Sequence, residues 1–259
     1  MADWDPELYN RFRRYRAEPV EAIFARLALG PDERIVDLGC GSGENTVELA
    51  RRSRHGFATG IDSSPAMIER AGKLRDGLDP ALGARLAFTL GDFRDLDAER
   101  KYTVVFSNAA IQWVRDHRSV FAACRRALRP GGTLAVQMSA NEEETAQATI
   151  VALAGEEPWR ALVGEIRTPS RTVGAPGAYA EMLREIGFDA IDCDYHTFRH
   201  PMESPTEIVV WCRGTALRPF LERLPSARQE IFVDLLIRRL EREYATSGPL
   251  MFNFRRLFI

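Results

Sequence analysis

The stretch "RIVDLGCGSGENTVELA", residues 34–50, limits the possible fold more than any other part of the chain. Its apolar opening reads as a buried strand. The alternating Gly39, Gly41 and Gly43 read as a tight backbone turn, and the run from Glu44 to about Arg52 as a helix. A strand that turns directly into a helix belongs to a crossover unit, and repeated crossovers build parallel sheets covered by helices. The unit recurs. "FATGID" reads as a second strand, with Ser64 and Pro65 as N-cap and first position of the helix "PAMIERAGKLR". "RLAFTLGD" and "KYTVVFSNA" read as a third and a fourth strand. Asp116 caps the helix "HRSVFAACRRALRP", which Gly131 and Gly132 are expected to end before a fifth strand, "TLAVQM". The class is therefore α/β: a doubly wound, open, mostly parallel sheet.

The flanks differ. Residues 5–29 are helical in pattern, with Asp5 as N-cap, Pro6 at the first position and Pro19 expected to break or kink the helix into two pieces. Beyond Ser139, "ANEEETAQATIVALAGEE" looks helical, and "RTPSRTVGAPGAYAEMLREIGF" is a Pro/Gly-rich entry into another helix. "DAIDCDYHTFRHPM" alternates like a strand. A helical stretch from Glu207 to Tyr244 is interrupted at "LRPF" and "LPSAR", and "LMFNFRRLFI" reads as a last strand added to the sheet. These signals divide one structural domain into a helical lid (1–30), a ligand-binding core (31–140) and a segment (141–259) that carries a helical cap and completes the sheet.

With 45% hydrophobic and 28% charged residues, a packed soluble core is expected. No apolar run approaches the roughly 18 residues of a membrane span. The opening "MADWDPELYN" is acidic and aromatic where a signal peptide is basic and then apolar, so a cytoplasmic location is expected and no membrane partner. Cys40, Cys124, Cys193 and Cys212 show neither C-x-x-C pairing nor histidines at metal spacing, which reads as reduced thiols and no metal site. A net charge of -2 gives no general attraction to nucleic acid.

The glycine spacing narrows the ligand. The dinucleotide fingerprint is G-x-G-x-x-G, and here Glu44 stands where its third glycine belongs. A carboxylate in the first helical turn suits the helix dipole and repels a diphosphate. S-adenosyl-L-methionine fits instead, because its sulfonium and ammonium are cations and its carboxylate is the one anion. Asp62, closing the second strand, is placed to accept from both ribose hydroxyls. Asp92, closing the third and followed by Phe93, suits an adenine amino group, with the aromatic beside the ring. Asp37 is expected to orient the ammonium, and Asn108 to lie beside the sulfonium. The same loops bring Cys40, Asn45, Ser63, Met67 and Ala109 into the cofactor set. Gln112 and Trp113 follow the fourth strand and are expected to wall the cofactor, though Trp113 reads equally well as a core residue. Singly, each acid reads equally well as a solubilising strand end. The glycines with Asp62 and Asp92, all on one sheet edge, point to a ligand.

This series of motifs resembles the class I S-adenosylmethionine-dependent methyltransferases, which implies a seven-stranded Rossmann-like sheet. Nucleic-acid amino-methyltransferases place an Asn/Asp-Pro-Pro-aromatic motif after the fourth strand, where this chain reads "SNAAIQW". No Pro-Cys dipeptide occurs for cytosine C5 chemistry, and Cys40 reads as a small filler. A small-molecule acceptor follows, with no nucleic-acid partner. The chain further resembles trans-aconitate 2-methyltransferases through "DWDPELYNRF" with Arg16, "DLGCGSGENT", "GIDSSPAMI", "SNAAIQWVRDH", "LRPGGTLAVQM", "WCRGTALRPF" and "RRLFI". That resemblance implies methyl transfer to a carboxylate of trans-aconitate, giving a monomethyl ester and S-adenosyl-L-homocysteine.

A carboxylic acid with a pKa near ~4 is already ionised at neutral pH, so no general base and no catalytic residue are expected, and catalysis is positioning. His117 accordingly reads as a helix-start residue. The cost lies in desolvating a tricarboxylate, which calls for cations and donors. Candidates are Arg218 and Arg256, then Trp4, Tyr9 and Arg16 on the first helix, with Arg213, Tyr179, His200 and Trp211 as weaker entries. All but two of the 35 basic residues are arginines, so any one of them reads also as a surface residue. Another small acceptor such as a phenol or amine, an NAD-dependent dehydrogenase and a cofactor-binding partner protein remain as alternatives, and the oligomeric state stays open.

Overall fold

The computed structural model describes residues 6–166, 172–245 and 249–259, with side chains from Phe12 onward. The order of elements is α1 (Pro6–Arg26), β1 (Arg34–Leu38), α2 (Glu44–Arg52), β2 (Phe57–Asp62), α3 (Pro65–Asp76), α4 (Pro80–Gly83), β3 (Leu86–Leu90) and β4 (Tyr102–Asn108). There follow α5 (His117–Ala127), β5 (Leu128–Ser139), α6 (Thr145–Ala154), α7 (Trp159–Val163), α8 (Pro176–Ile186), β6 (Asp194–Pro201), α9 (Pro205–Arg213), α10 (Arg218–Leu221), α11 (Ser226–Glu243) and β7 (Met251–Phe258). The strands form one seven-stranded sheet in the order β3-β2-β1-β4-β5-β7-β6. The pairs β1/β2, β1/β4, β2/β3 and β4/β5 are parallel. Val136 and Ile259 exchange both backbone hydrogen bonds (2.8 and 2.9 Å), the antiparallel pattern, so β7 runs against β5. The chain is a class I methyltransferase-type α/β fold. Its winding reverses between β1 and β4, and in such sheets ligands bind beyond the carboxyl ends of the strands at that reversal. Among the described residues no helix is long and apolar enough to cross a membrane.

Two compact units make up the chain. One, here the sheet unit, comprises Pro19–Met138, Thr172–Tyr195 and Leu257–Ile259; the other, the helical unit, comprises the chain up to Glu18, Ser139–Arg171 and His196–Arg256. In the sheet unit, β1 and β4 are buried on both faces, as strands covered by helices must be. The α2 helix turns Thr46, Val47, Leu49 and Ala50 inward, and α5 does so with Val120, Phe121, Ala123 and Cys124. Side-chain caps set the helix starts: Ser64 accepts from the Met67 amide and Asp116 from the Ser119 amide. In the helical unit the core is aromatic. Phe12 meets Trp211 edge-on at 5.0 Å, Trp159 meets Phe232 at 5.1 Å, and Trp211 lies 5.2 Å from Phe254.

Several boundaries differ from those expected. The α1 helix is continuous through Pro19. Proline removes one backbone donor, and the buried Phe12 and Tyr15 before it, with Ile23, Phe24 and Leu27 after it, hold the helical path across that gap. Gly131 and Gly132 do not end α5, which stops at Ala127 with Leu128 as cap. They lie inside β5 where its register against β4 shifts between Tyr102 and Val104, and Gly131 takes φ +74 in that irregularity. The third strand ends at Leu90, before Asp92, and β6 begins at Asp194 rather than at Asp189. The "LRPF" segment is not a gap but supplies the short helix α10.

Candidate active site

At the end of β1 the backbone runs through φ +72, +55 and +93 at Gly39, Gly41 and Gly43. A Cβ at Gly39 would stand 2.2 Å from that of Ala110, so side-chain atoms are excluded there by contact. Gly41 has nothing within 4 Å of its Cβ position, and its positive φ is what requires glycine. Asp62 ties this turn to the next loop. One carboxylate oxygen accepts from the Gly41 amide and the other from the Ser64 amide, both at 2.9 Å. Each oxygen keeps a lone pair for a further donor. Cys40 is buried, its sulfur 2.7 Å from where a Cβ on Gly60 would be, and burial with Asp37 and Asp62 nearby pushes its thiol pKa up. It is a filler with no nucleophilic character.

Asp37 is 1% exposed and accepts a 2.6 Å hydrogen bond from the Thr46 hydroxyl, while its Oδ1 has no partner among the described residues. Burial first, and the charge of Asp62 to a lesser degree, raise its pKa to about 7. Asn108 at the end of β4 also leaves a buried Oδ1 without a donor, as does Gln112 its Oε1. Between them Ala109 sits at φ +55, its amide donating to the Gln137 carbonyl at 2.9 Å, a strained conformation for a residue with a side chain.

Asp92 caps the turn at Phe93–Asp95 and is gripped by Arg94, whose Nε lies 2.9 and 2.8 Å from its two oxygens. The carboxylate expected to meet an adenine amine is thus paired with its own neighbour. The Phe93 ring lies 3.6 Å from the Gly39 Cβ position. Asn45 and Met67 are half-buried in the first turns of α2 and α3, and Ser63 is exposed. Trp113 is 67% exposed, which removes the core role considered for it.

The buried acceptors of Asp37 and Asn108 call for donors or a cation, which a ligand bearing ammonium and hydroxyl groups supplies and a diphosphate does not. Glu44 at the helix start accepts from the Ser42 hydroxyl at 2.8 Å and adds further negative charge. S-adenosylmethionine fits these residues. No cluster of His, Cys, Asp and Glu suited to a metal ion occurs among the described residues.

The remaining candidates separate. Tyr179 is buried in the sheet unit, where its hydroxyl bonds His117 Nδ1 at 2.6 Å and accepts from the Gly174 amide at 3.3 Å. His117 Nε2 lies 3.1 Å from the Ile111 carbonyl, so Nε2 carries the proton and Nδ1 accepts. Desolvation lowers the His117 pKa. Both rings therefore serve as a structural tie. Arg218 and Arg213 are exposed and paired with Glu222 (2.7 Å) and Glu230 (3.2 Å). Trp4 lies outside the described residues, as does the side chain of Tyr9.

Four candidates converge in the helical unit. Arg16 lies over the Trp211 ring at 4.6 Å and donates to the Trp211 carbonyl at 3.4 Å. His200, 1% exposed, stacks on Tyr15 at 4.2 Å and on Trp211 at 5.8 Å, with Glu18 3.8 Å from its Nδ1 and no partner for its Nε2 among the described residues. Desolvation, then the charge of Arg256, lowers its pKa to about 4, so it is neutral. Arg256 lies 3.7 Å over the Phe254 ring, and its buried Nε has no acceptor among the described residues. Desolvation lowers its pKa to about 9. A cation buried without an anion is costly, and a ligand carboxylate would relieve it. Arg255, next in sequence but on the opposite face of β7, is already paired with Glu143 and Glu144.

Residues 35–132 match a methyltransferase domain family. Over its whole length the chain is 36% identical to a trans-aconitate 2-methyltransferase of Variovorax paradoxus and 35% identical to one of Escherichia coli, covering 98% of each. Among solved structures, the YcgJ protein of Bacillus subtilis superposes with a TM-score of 0.59 at 15% identity, covering 93% of this chain and 95% of that one. Phosphoethanolamine N-methyltransferase 2 of Haemonchus contortus in complex with S-adenosyl-L-methionine does so at 0.54 and 20% identity, covering 92% of this chain and 50% of that one.

Proposed function

The chain belongs to the family of trans-aconitate 2-methyltransferases, and from that premise we propose that it esterifies one carboxylate of trans-aconitate with S-adenosyl-L-methionine as methyl donor. When bound, that donor supplies an electrophilic methyl group on a sulfonium. The glycine turn and Asp62 give the nucleoside a preformed ledge, Asp37 accepts from the ammonium, and Asn108 Oδ1 is a further acceptor at the edge where β1 and β4 part. Arg256 holds a carboxylate of the acid, with Phe254 covering one face of its guanidinium and neutral His200, Trp211 and Arg16 around it.

The single observation that carries the acceptor class is the half-buried guanidinium of Arg256, whose buried Nε has no acceptor among the described residues. A phenol or an amine would leave that charge unsatisfied, and a carboxylate satisfies it. The acceptor oxygen needs no base, in keeping with a His117 locked to Tyr179 and a neutral, buried His200. The test is incubation with methyl-labelled S-adenosylmethionine and a panel of acids, phenols and amines, with products read by mass spectrometry. A labelled monomethyl ester from trans-aconitate supports the proposal, and label appearing only in a phenol or amine overturns it.

A further inference from the structure

The ladder between β5 and β7 brings one further polar side chain to the Arg256 face, and a second is tied to it. Val136 pairs with Ile259, and the Ala140 amide donates to the Arg255 carbonyl at 3.1 Å. In this antiparallel register Ser139 lies opposite Arg256, and residues directly opposite share a face; Asn141 follows two residues past the end of β5. Asn141 is 3% exposed. Its Nδ2 donates to the Ser139 hydroxyl at 3.1 Å, and its Oδ1 has no partner among the described residues. A buried carboxamide, half-satisfied and tied to the residue that faces Arg256, whose Nε has no acceptor among the described residues, is an incomplete arrangement.

A half-turn of the amide group exchanges its ends without changing its shape. Oδ1 then accepts from the Ser139 hydroxyl, which switches from acceptor to donor, and the two amide hydrogens take the position of the orphaned oxygen. Next to a cation the group to be met there is an anion, and this orientation serves it. We propose that Asn141, held by Ser139, is a second carboxylate-recognition residue, binding a non-reacting carboxylate of the acid whose neighbouring carboxylate is held by Arg256. The inference rests on the proposed function and adds to it the feature that separates tricarboxylates from dicarboxylates.

The test compares trans-aconitate with trans-glutaconate and itaconate, which keep its three-carbon unsaturated frame and each lack one carboxylate, in the wild-type chain and in N141A, N141D and S139A. The wild type prefers the tricarboxylate. In N141A its KM for trans-aconitate rises about tenfold, as for loss of a hydrogen bond to a charged group, with kcat and the calorimetric affinity for S-adenosylmethionine unchanged. The preference over at least one dicarboxylate falls by a similar factor, a change that a general loosening of the fold does not produce. N141D, matched in size but repelling the anion, falls further, and S139A moves in the same direction by less. If N141A does not fold, N141D and S139A carry the same comparison. Folded variants with wild-type KM and wild-type preference overturn the inference alone. A wild-type chain that makes no ester from trans-aconitate overturns the proposed function and this inference with it.

Discussion

Asp37 pairs one oxygen with Thr46 and leaves the other bare, and burial holds its pKa at about 7. An ammonium beside it favours the ionised form, so affinity for S-adenosylmethionine is expected to rise with pH from about 6 to about 7.5. D37N removes that rise and weakens binding throughout, which calorimetry at several pH values checks. Arg256 and Arg218 offer the sharpest contrast between two residues of one type. R256M is expected to raise the KM for trans-aconitate up to about 100-fold, as for a lost charge-assisted contact, whereas R218A changes it by less than about twofold. Steady-state kinetics with both variants checks this. Part of the contrast is legible in the sequence, where Glu222 follows Arg218 at the i,i+4 spacing of a helical ion pair. That Arg256 has no ion-pair partner among the described residues is set by tertiary packing and leaves no trace in local spacing. Tyr179 shows the same limit, since its partner His117 is 62 residues away in the chain.

At the scale of elements, those whose boundary is written in one side chain were readable. Ser64 with Pro65, Asp116, and the glycine turn before α2 each act within a few residues of themselves. S64A is expected to cost about 1 kcal/mol by loss of the α3 cap, read as a lower unfolding midpoint in denaturant. Elements decided by distant packing were not readable. Pro19 marks a helix end by local rules, yet α1 passes through it because both of its halves are anchored. Gly131 and Gly132 follow a helix as C-capping glycines do, but pairing of Leu128 with Tyr102 draws the chain into β5 three residues earlier. P19A restores a backbone donor inside α1 and is expected to leave stability equal or higher, by the same measurement.

For the whole molecule, the alternation of strands and helices through β5 followed from local signals, because each βα unit carries its own punctuation. The residues proposed to bind the acid come from α1, β6, α9 and β7, segments remote in sequence that no local signal joins. Two buried groups oppose each other in the pH dependence of stability. The His200 pKa is depressed to about 4 from an ordinary 6.5, so the unfolded chain binds more protons and stability is lost as pH falls through that window. The Asp37 pKa is raised from 3.8 to about 7, so the folded chain binds more protons and stability falls as pH rises through that window. H200F is therefore expected to tolerate mild acid better than the wild type, and D37N to lose less stability toward neutrality, both read as melting temperature against pH.

The most direct measurement of an already ionised acceptor held by positive charge is kcat against pH, from about 6 to about 9, with both substrates saturating. The reacting carboxylate needs no proton removed by the protein, and His200, its pKa lowered to about 4, takes up no proton within that range. A flat profile is predicted. A rising limb near pH 6 to 7 that disappears on replacement of His117 or His200 would reveal a general base and contradict it.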